Sequence, residues 1–164
     1  MARPTLLHIA ALFLAVSGPL LAADPPPASE GDADPTPAVS LAARLRADVE
    51  ALADGIGPRH VTRGDSVARA EQWISRQFSE AGYTVECEPY DARGYAVANV
   101  VATVPGAGPG AAGIVIVGAH YDTVLITPGA DDNASGVAAM LALARDLAGR
   151  KPARTVRFVA FAQE

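Results

Sequence analysis

The sequence predicts a layered α/β fold for residues 40–164. Segments with helical periodicity alternate along the chain with short apolar, β-branched runs, and glycine or proline closes several of them. Half of the residues are hydrophobic but only 5% are aromatic, so small aliphatic side chains must build the core. A chain of 164 residues has room for one such domain.

The first 39 residues are expected to lie outside the folded domain. Residues 1–23 have one basic residue, Arg3, followed by an apolar run from residue 6 to 16 and by small residues, which is typical of a cleaved secretory signal. Ser17 and the two residues after it interrupt the run before it reaches the roughly 20 residues that span a bilayer. Residues 24–39 contain five prolines and predict a disordered tether. We therefore predict export to the periplasm or the extracellular medium, with no membrane span after cleavage.

Two helices are predicted in the first half of the domain. The first is capped by Ser40, has apolar residues at helical spacing and ends near Gly55. The second begins at residue 65 or 66 and ends at Gly82 in the C-cap position. Residues 56–62 form the loop between them.

Strands are predicted to follow. Tyr83, Val85 and Cys87 alternate with polar residues, as in a half-buried strand that ends at Pro89. Residues 95–104 form a more apolar strand. The continuous run Ile114–Val117 is typical of a central strand covered on both faces, and it leads to His120.

A third helix, residues 135–148, and an apolar strand, residues 155–162, complete the pattern. Ligands of open α/β sheets bind beyond the carboxyl ends of strands. His120 and Glu164 both fall at such ends, which makes that edge of the sheet the expected location of a site.

Charge and motif content argue against several functions. Acidic and basic residues are interspersed, the net charge is −5, and there is no basic cluster, so nucleic-acid binding is not expected. The sequence lacks a Walker-type loop, and its Gly-rich turn 106–113 leads into the apolar run at Ile114 rather than into a helix, so a nucleotide enzyme is poorly supported. The single cysteine, Cys87, cannot form an internal disulfide and is predicted to be buried and inert.

Polar clusters at the ends of apolar segments suggest a hydrolytic metal site. Imidazole nitrogen and carboxylate oxygen are good zinc ligands, and His120 and Asp132 supply them. Asp122 lies two residues from His120 and can fix its tautomer from the second ring nitrogen. Two ions about 3.5 to 4 Å apart can share one carboxylate and one hydroxide, for which Asp132 is the candidate. Glu164 is the candidate general base.

Each of these residues taken singly has a simpler interpretation. A histidine at a strand end is more often structural than a ligand, and Asp131, Asp132, Asn133 or Ser135 could cap the following helix. Only the joint pattern favours the metal site.

The motifs HYD (120–122), PGADDNASG (128–136) and FVAFAQE (158–164) resemble, in order and spacing, those of the zinc aminopeptidases of peptidase family M28. Together with the 56–59 loop and the following helix, the resemblance covers residues 40–164. It implies a three-layer, zinc-dependent exopeptidase-like fold around a mixed, largely parallel sheet. It also implies two Zn²⁺ ions and a metal-bridging hydroxide that hydrolyses the N-terminal peptide bond of a peptide substrate.

The resemblance assigns the site residues. His120 binds one zinc, Asp132 bridges both, Asp122 orients His120, and Glu164 is the general acid and base. It also implies a cis peptide bond between Asp132 and Asn133. Asp131 is not assigned as a ligand.

The family pattern continues with a zinc-binding Glu, and then an Asp and a His, after the position at which this sequence ends. We therefore expect residues 40–164 to be a truncated N-terminal part of an M28-like domain, inactive as a 164-residue chain. Other hypotheses are a non-catalytic fragment or binding module, carboxypeptidase or glutaminyl cyclase activity, and an M20-type peptidase or deacylase. The Asn-Ala-Ser-Gly continuation favours M28. The oligomeric state and the side-chain preference stay open.

Overall fold

The computed structural model describes residues 39–163. Three α-helices and four strands are found there: α1 (Leu41–Glu50), α2 (Ser66–Glu80), β1 (Val85–Ala92), β2 (Tyr95–Val104), β3 (Ile114–His120), α3 (Ser135–Leu147) and β4 (Thr155–Phe161). A π-helical segment, Ala51–Ile56, continues α1. The α/β prediction is confirmed. The predicted signal (1–23), all of the predicted tether except Val39, and Glu164 lie outside the described residues. Within 39–163, every helix is too short or too polar to cross a membrane.

The two predicted helix boundaries that rest on capping chemistry are confirmed. The Ser40 hydroxyl accepts a hydrogen bond from the Ala43 N–H at 3.2 Å, which satisfies one of the free donors at the start of α1. At the end of α2, Gly82 has φ +91°, and the Tyr83 N–H donates to the Phe78 carbonyl at 3.1 Å. This is the hydrogen bond of a Schellman motif, in which glycine adopts the left-handed conformation at least cost.

The sheet is mixed, with the strand order β1-β2-β4-β3. β1 pairs antiparallel with β2, β2 pairs antiparallel with β4, and β3 pairs parallel with β4. The parallel pair sets His120 opposite Phe161, so β3 and β4 end at the same edge of the sheet. The segments that follow these two strands therefore leave the sheet side by side.

One face of the sheet packs against α2 and α3. Alternate residues of β2 and β4 form a single buried cluster with the inner residues of the two helices: Val100, Ala102, Val104, Val156, Phe158, Ala160, Ile74, Phe78, Met140, Leu141 and Ala144. The helices are also joined by polar groups. Arg145 of α3 donates to both carboxylate oxygens of Asp48 in α1 and to Gln77 Oε1 in α2. This network fixes the helix layer that supports the sheet.

The predicted position of β3 in the sheet is wrong for the described residues. Ile114–Val117 was expected to be a central strand covered on both faces. β3 is instead an edge of the described four-stranded sheet, and Ile114 and Ile116 are 57% and 53% exposed. An apolar run fits either position, because the place of a strand in a sheet depends on pairing with segments far away in sequence.

Two expectations about β1 are also wrong. The strand does not end at Pro89 but continues to Ala92, with Pro89 opposite Ala98. Since β1 is an edge strand, the missing proline N–H is tolerated there. Cys87 is exposed rather than buried, because it lies in an outer strand whose residues 86–91 are all exposed.

Candidate metal centre

His120 and Asp132 meet at the carboxyl end of β3. His120 is the last residue of that strand, and Asp132 lies in the turn that precedes α3. The distance from His120 Nε2 to Asp132 Oδ1 is 3.0 Å. The His120 side chain is 15% exposed, whereas that of Asp132 is 75% exposed. A partly buried imidazole thus faces a carboxylate that is open to solvent.

Asp122 contacts the other ring nitrogen of His120. The distance from His120 Nδ1 to Asp122 Oδ1 is 3.3 Å, and the Asp122 side chain is 13% exposed. Because Asp122 is two residues further along an extended segment, the two side chains point the same way, as the sequence predicted. A carboxylate in this position favours the tautomer with the ring proton on Nδ1, so that Nε2, the nitrogen facing Asp132, is the one suited to bind a metal.

The spacing of the two outer atoms fits a shared metal ion. Zinc lies about 2.0 to 2.2 Å from nitrogen and oxygen ligands, so two ligands of one ion are about 3 to 3.4 Å apart at angles between 90° and tetrahedral. The observed separation of His120 Nε2 and Asp132 Oδ1 is 3.0 Å. Residues 39–163 contain no cluster of three histidine, cysteine or acidic side chains around one point. His120 and Asp132 therefore fit as two of the ligands of a zinc site.

The turn that positions Asp132 has an irregular backbone. Gly129 adopts φ +58° and ψ +52°, and its carbonyl accepts from the Ala134 N–H at 3.1 Å. Asn133 Oδ1 accepts from the Gly136 N–H at 3.0 Å, at the start of α3. The peptide bond between Asp132 and Asn133 is cis, as the resemblance implied. The Asp132 carboxylate is thus held on a turn tied at both ends.

A pocket of about 220 Å³ opens beside these side chains. The pocket is lined by the three candidate site residues, His120, Asp122 and Asp132. Five other residues also line it: His60, Thr123, Val124, Leu125 and Gln163. His60 was not among the predicted site residues, and its Nδ1 lies 2.8 Å from the Thr62 hydroxyl. Glu164, the fourth predicted site residue, lies outside the described residues, and it follows the pocket residue Gln163 directly in the chain.

Arg59 is the residue near the site that sequence reasoning missed. Its side chain is fully buried, and its guanidinium donates to the carbonyl oxygens of Tyr121 (2.6 Å), Pro128 (2.7 Å) and Gly129 (3.0 Å). Burial lowers the pKa of Arg59 to about 10, and the nearby Asp122 carboxylate opposes that shift, so the group stays charged at neutral pH. A basic residue in a loop carries no local sign of burial, so only its place in the 56–59 motif could have indicated it.

Tyr121, between His120 and Asp122, is a core residue. It is 0% exposed, and its hydroxyl donates to the Ala98 carbonyl at 2.8 Å. Burial raises the pKa of Tyr121 above its ordinary range, with smaller contributions from nearby acidic groups. The phenol is therefore a neutral structural anchor for the strand end.

Comparison with known sequences finds similarity to peptidases. Residues 99–164 match the model of peptidase family M28. Protein YfbL of Escherichia coli (strain K12), which is uncharacterized, is 35% identical over 137 residues, covering 79% of this chain and 42% of YfbL. Aminopeptidase YwaD of Bacillus subtilis (strain 168) is 49% identical over 51 residues, covering 31% of this chain and 11% of YwaD. The chain spans less than half of the length of the curated relatives it matches.

Solved structures share the fold. BSAP, a zinc aminopeptidase from Bacillus subtilis, superimposes with a TM-score of 0.68 at 13% identity, covering 76% of this chain and 62% of BSAP. At this level of identity the likeness concerns the fold.

Proposed function

The matched residues, 99–164, make this chain a member of peptidase family M28, and from that premise we propose that the full product of its gene is an exported zinc aminopeptidase. The observation that supports the proposal best is the meeting of His120 Nε2 and Asp132 Oδ1 at 3.0 Å, with Asp122 behind the histidine. Export is inferred from the composition of residues 1–23. The matched relative YwaD is named an aminopeptidase, and the fold neighbour BSAP is a zinc enzyme.

Zinc would be held by His120 and Asp132, with Asp132 bridging two ions as the motif resemblance implies. When bound, zinc supplies a Lewis acid that polarises the scissile carbonyl and acidifies water. Asp122 would accept a hydrogen bond from the Nδ1–H of His120, and this contact orients the ring with Nε2 toward the metal position. The low exposure of His120 and Asp122 protects this contact from water, while the exposed Asp132 side leaves room for a peptide.

Glu164 is proposed as the acid and base of the reaction. It would take a proton from the attacking water and deliver it to the leaving amine. Its support is positional: the preceding residue, Gln163, lines the same pocket as His120 and Asp132. We therefore expect the carboxylate of the next residue to act at that pocket.

The test is hydrolysis of amino-acyl p-nitroanilides by the full gene product, before and after zinc is removed with a chelator. We expect chelation to lower the rate at least about tenfold and stoichiometric zinc to restore it, because the metal supplies most of the activation of water. Magnesium is the control ion and should not restore activity, since imidazole ligands favour zinc.

Two outcomes would contradict the proposal. Hydrolysis that persists at full rate in metal-free protein would rule out a zinc mechanism. Cyclisation of N-terminal glutaminyl peptides without hydrolysis of the anilides would show that the full gene product is a glutaminyl cyclase and not an aminopeptidase. Export is checked separately from the mass of the native protein, which should lack residues 1–23.

A further inference from the structure

Arg59 joins three segments of backbone that meet behind the metal centre. Its side chain is 0% exposed. The guanidinium donates to the carbonyls of Leu52 and Gly57, in the segment that follows α1, at 2.9 and 3.1 Å. It also donates to the Tyr121 carbonyl at 2.6 Å, and to those of Pro128 and Gly129 at 2.7 and 3.0 Å. Five carbonyl oxygens from three segments of the chain thus converge on one cation.

The same loop is tied to the strand end through its backbone. The Arg59 N–H donates to Thr123 Oγ1 at 2.9 Å, and the Thr123 N–H donates to the Arg59 carbonyl at 3.0 Å. The Thr123 side chain is buried. Arg59 therefore fixes the segment 121–123 by its main chain as well as by its guanidinium.

Two of the carbonyls that Arg59 contacts, those of Tyr121 and Gly129, lie in the segments that carry the proposed zinc ligands. Tyr121 is the residue between His120 and Asp122, and Gly129 begins the turn that contains Asp132. One guanidinium thus holds the two backbone segments from which the ligands project. We propose that Arg59 is a positioning residue that sets the distance between His120 and Asp132, an inference that rests on the proposed function.

An arginine suits this task better than other side chains. Its planar fork presents five N–H donors in fixed directions, whereas a lysine ammonium has three donors on one atom. A buried charge is costly, and apolar residues of similar volume often stabilise a fold equally well. Because the buried guanidinium of Arg59 bonds carbonyl oxygens of three backbone segments, we expect its role to be to fix the positions of those segments.

The experiment compares Arg59→Lys, Thr123→Val and the wild type as full gene products. Zinc affinity is measured by competition with a chromogenic chelator, folding by thermal unfolding, and catalysis by kcat and KM on an amino-acyl anilide. Arg69→Lys is the matched control, because Arg69 is an exposed arginine with one carbonyl contact, to Gly55. If the wild type binds no zinc, the proposed function fails before any variant is compared.

We expect Arg59→Lys to weaken zinc binding at least about tenfold and to lower kcat with a smaller change in KM, as the loss of a group that orients ligands does. Thr123→Val should weaken zinc binding several-fold, because it removes one tie and keeps the guanidinium. Folded Arg59→Lys protein with wild-type zinc affinity would overturn the proposal and leave Arg59 a purely structural residue. If Arg59→Lys does not fold, Thr123→Val decides: weakened zinc binding supports the proposal, and wild-type affinity overturns it.

Discussion

Replacing Asp132 by Asn in the full gene product should lower kcat/KM at least about 1,000-fold and reduce the bound zinc. Loss of groups that merely orient a ligand costs about 10- to 100-fold, and loss of a ligand itself should cost more. The amide keeps the shape of the side chain but carries no negative charge and offers one weak oxygen. The turn that holds Asp132 is fixed by backbone contacts of Gly129 and Ala134, so the fold should survive the change.

The control for this prediction is the adjacent residue. Asp131→Asn removes the same charge from an exposed side chain that has no predicted metal role. Its activity should stay within about threefold of the wild type, as expected for a surface substitution. Zinc content, kinetics and thermal unfolding should be measured on both variants. Equal losses in the two would indicate a general electrostatic effect, and a loss confined to Asp131→Asn would show that the ligand was assigned to the wrong residue.

Gly129→Ala is expected to disrupt the turn itself. Gly129 has φ +58°, and a Cβ there would overlap the Asp132 carbonyl oxygen and the Thr123 methyl group and lie 3.1 Å from Arg59 Nη2. The left-handed conformation costs a non-glycine residue about 1 to 2 kcal/mol, and overpacking adds about 1 to 3 kcal/mol. We therefore expect a loss of about 2 to 5 kcal/mol in the free energy of unfolding, together with weaker zinc binding.

Gly149→Ala separates the two causes. Gly149 has φ +71° in the loop after α3, with no heavy atom within 4 Å of an added Cβ. It should therefore show only the conformational cost of about 1 to 2 kcal/mol. Denaturant unfolding of both variants, with zinc affinity measured on the folded protein, tests the pair. Equal destabilisation with unchanged zinc affinity would mean that the contacts of Gly129 do not matter.

Local chemistry predicted two helix ends and the positions of His120 and Asp122. Ser40 and Gly82 each act within one turn of chain, so their capping roles follow from the adjacent sequence. His120 was located because an apolar run ends in polar residues at a strand terminus. The prediction for Asp132 depended on its motif, and its side chain contacts His120.

Non-local structure accounts for what the sequence did not reveal. Three of the five carbonyls that Arg59 contacts belong to residues 62 to 70 positions away, and no periodicity records such pairings. The order of strands likewise follows from long-range pairing, which is why Ile114–Val117 and Cys87 were wrongly expected to be buried. In both cases the local pattern fits two environments, and tertiary contacts select one of them.

The measurement that tests the central proposal most directly is the location of zinc in crystals of the full gene product, from anomalous scattering at the zinc absorption edge. We predict a peak about 2.0 to 2.2 Å from both His120 Nε2 and an Asp132 carboxylate oxygen. The contact between His120 Nδ1 and Asp122 should be retained. Zinc bound elsewhere, with His120 and Asp132 still in direct contact, would contradict it.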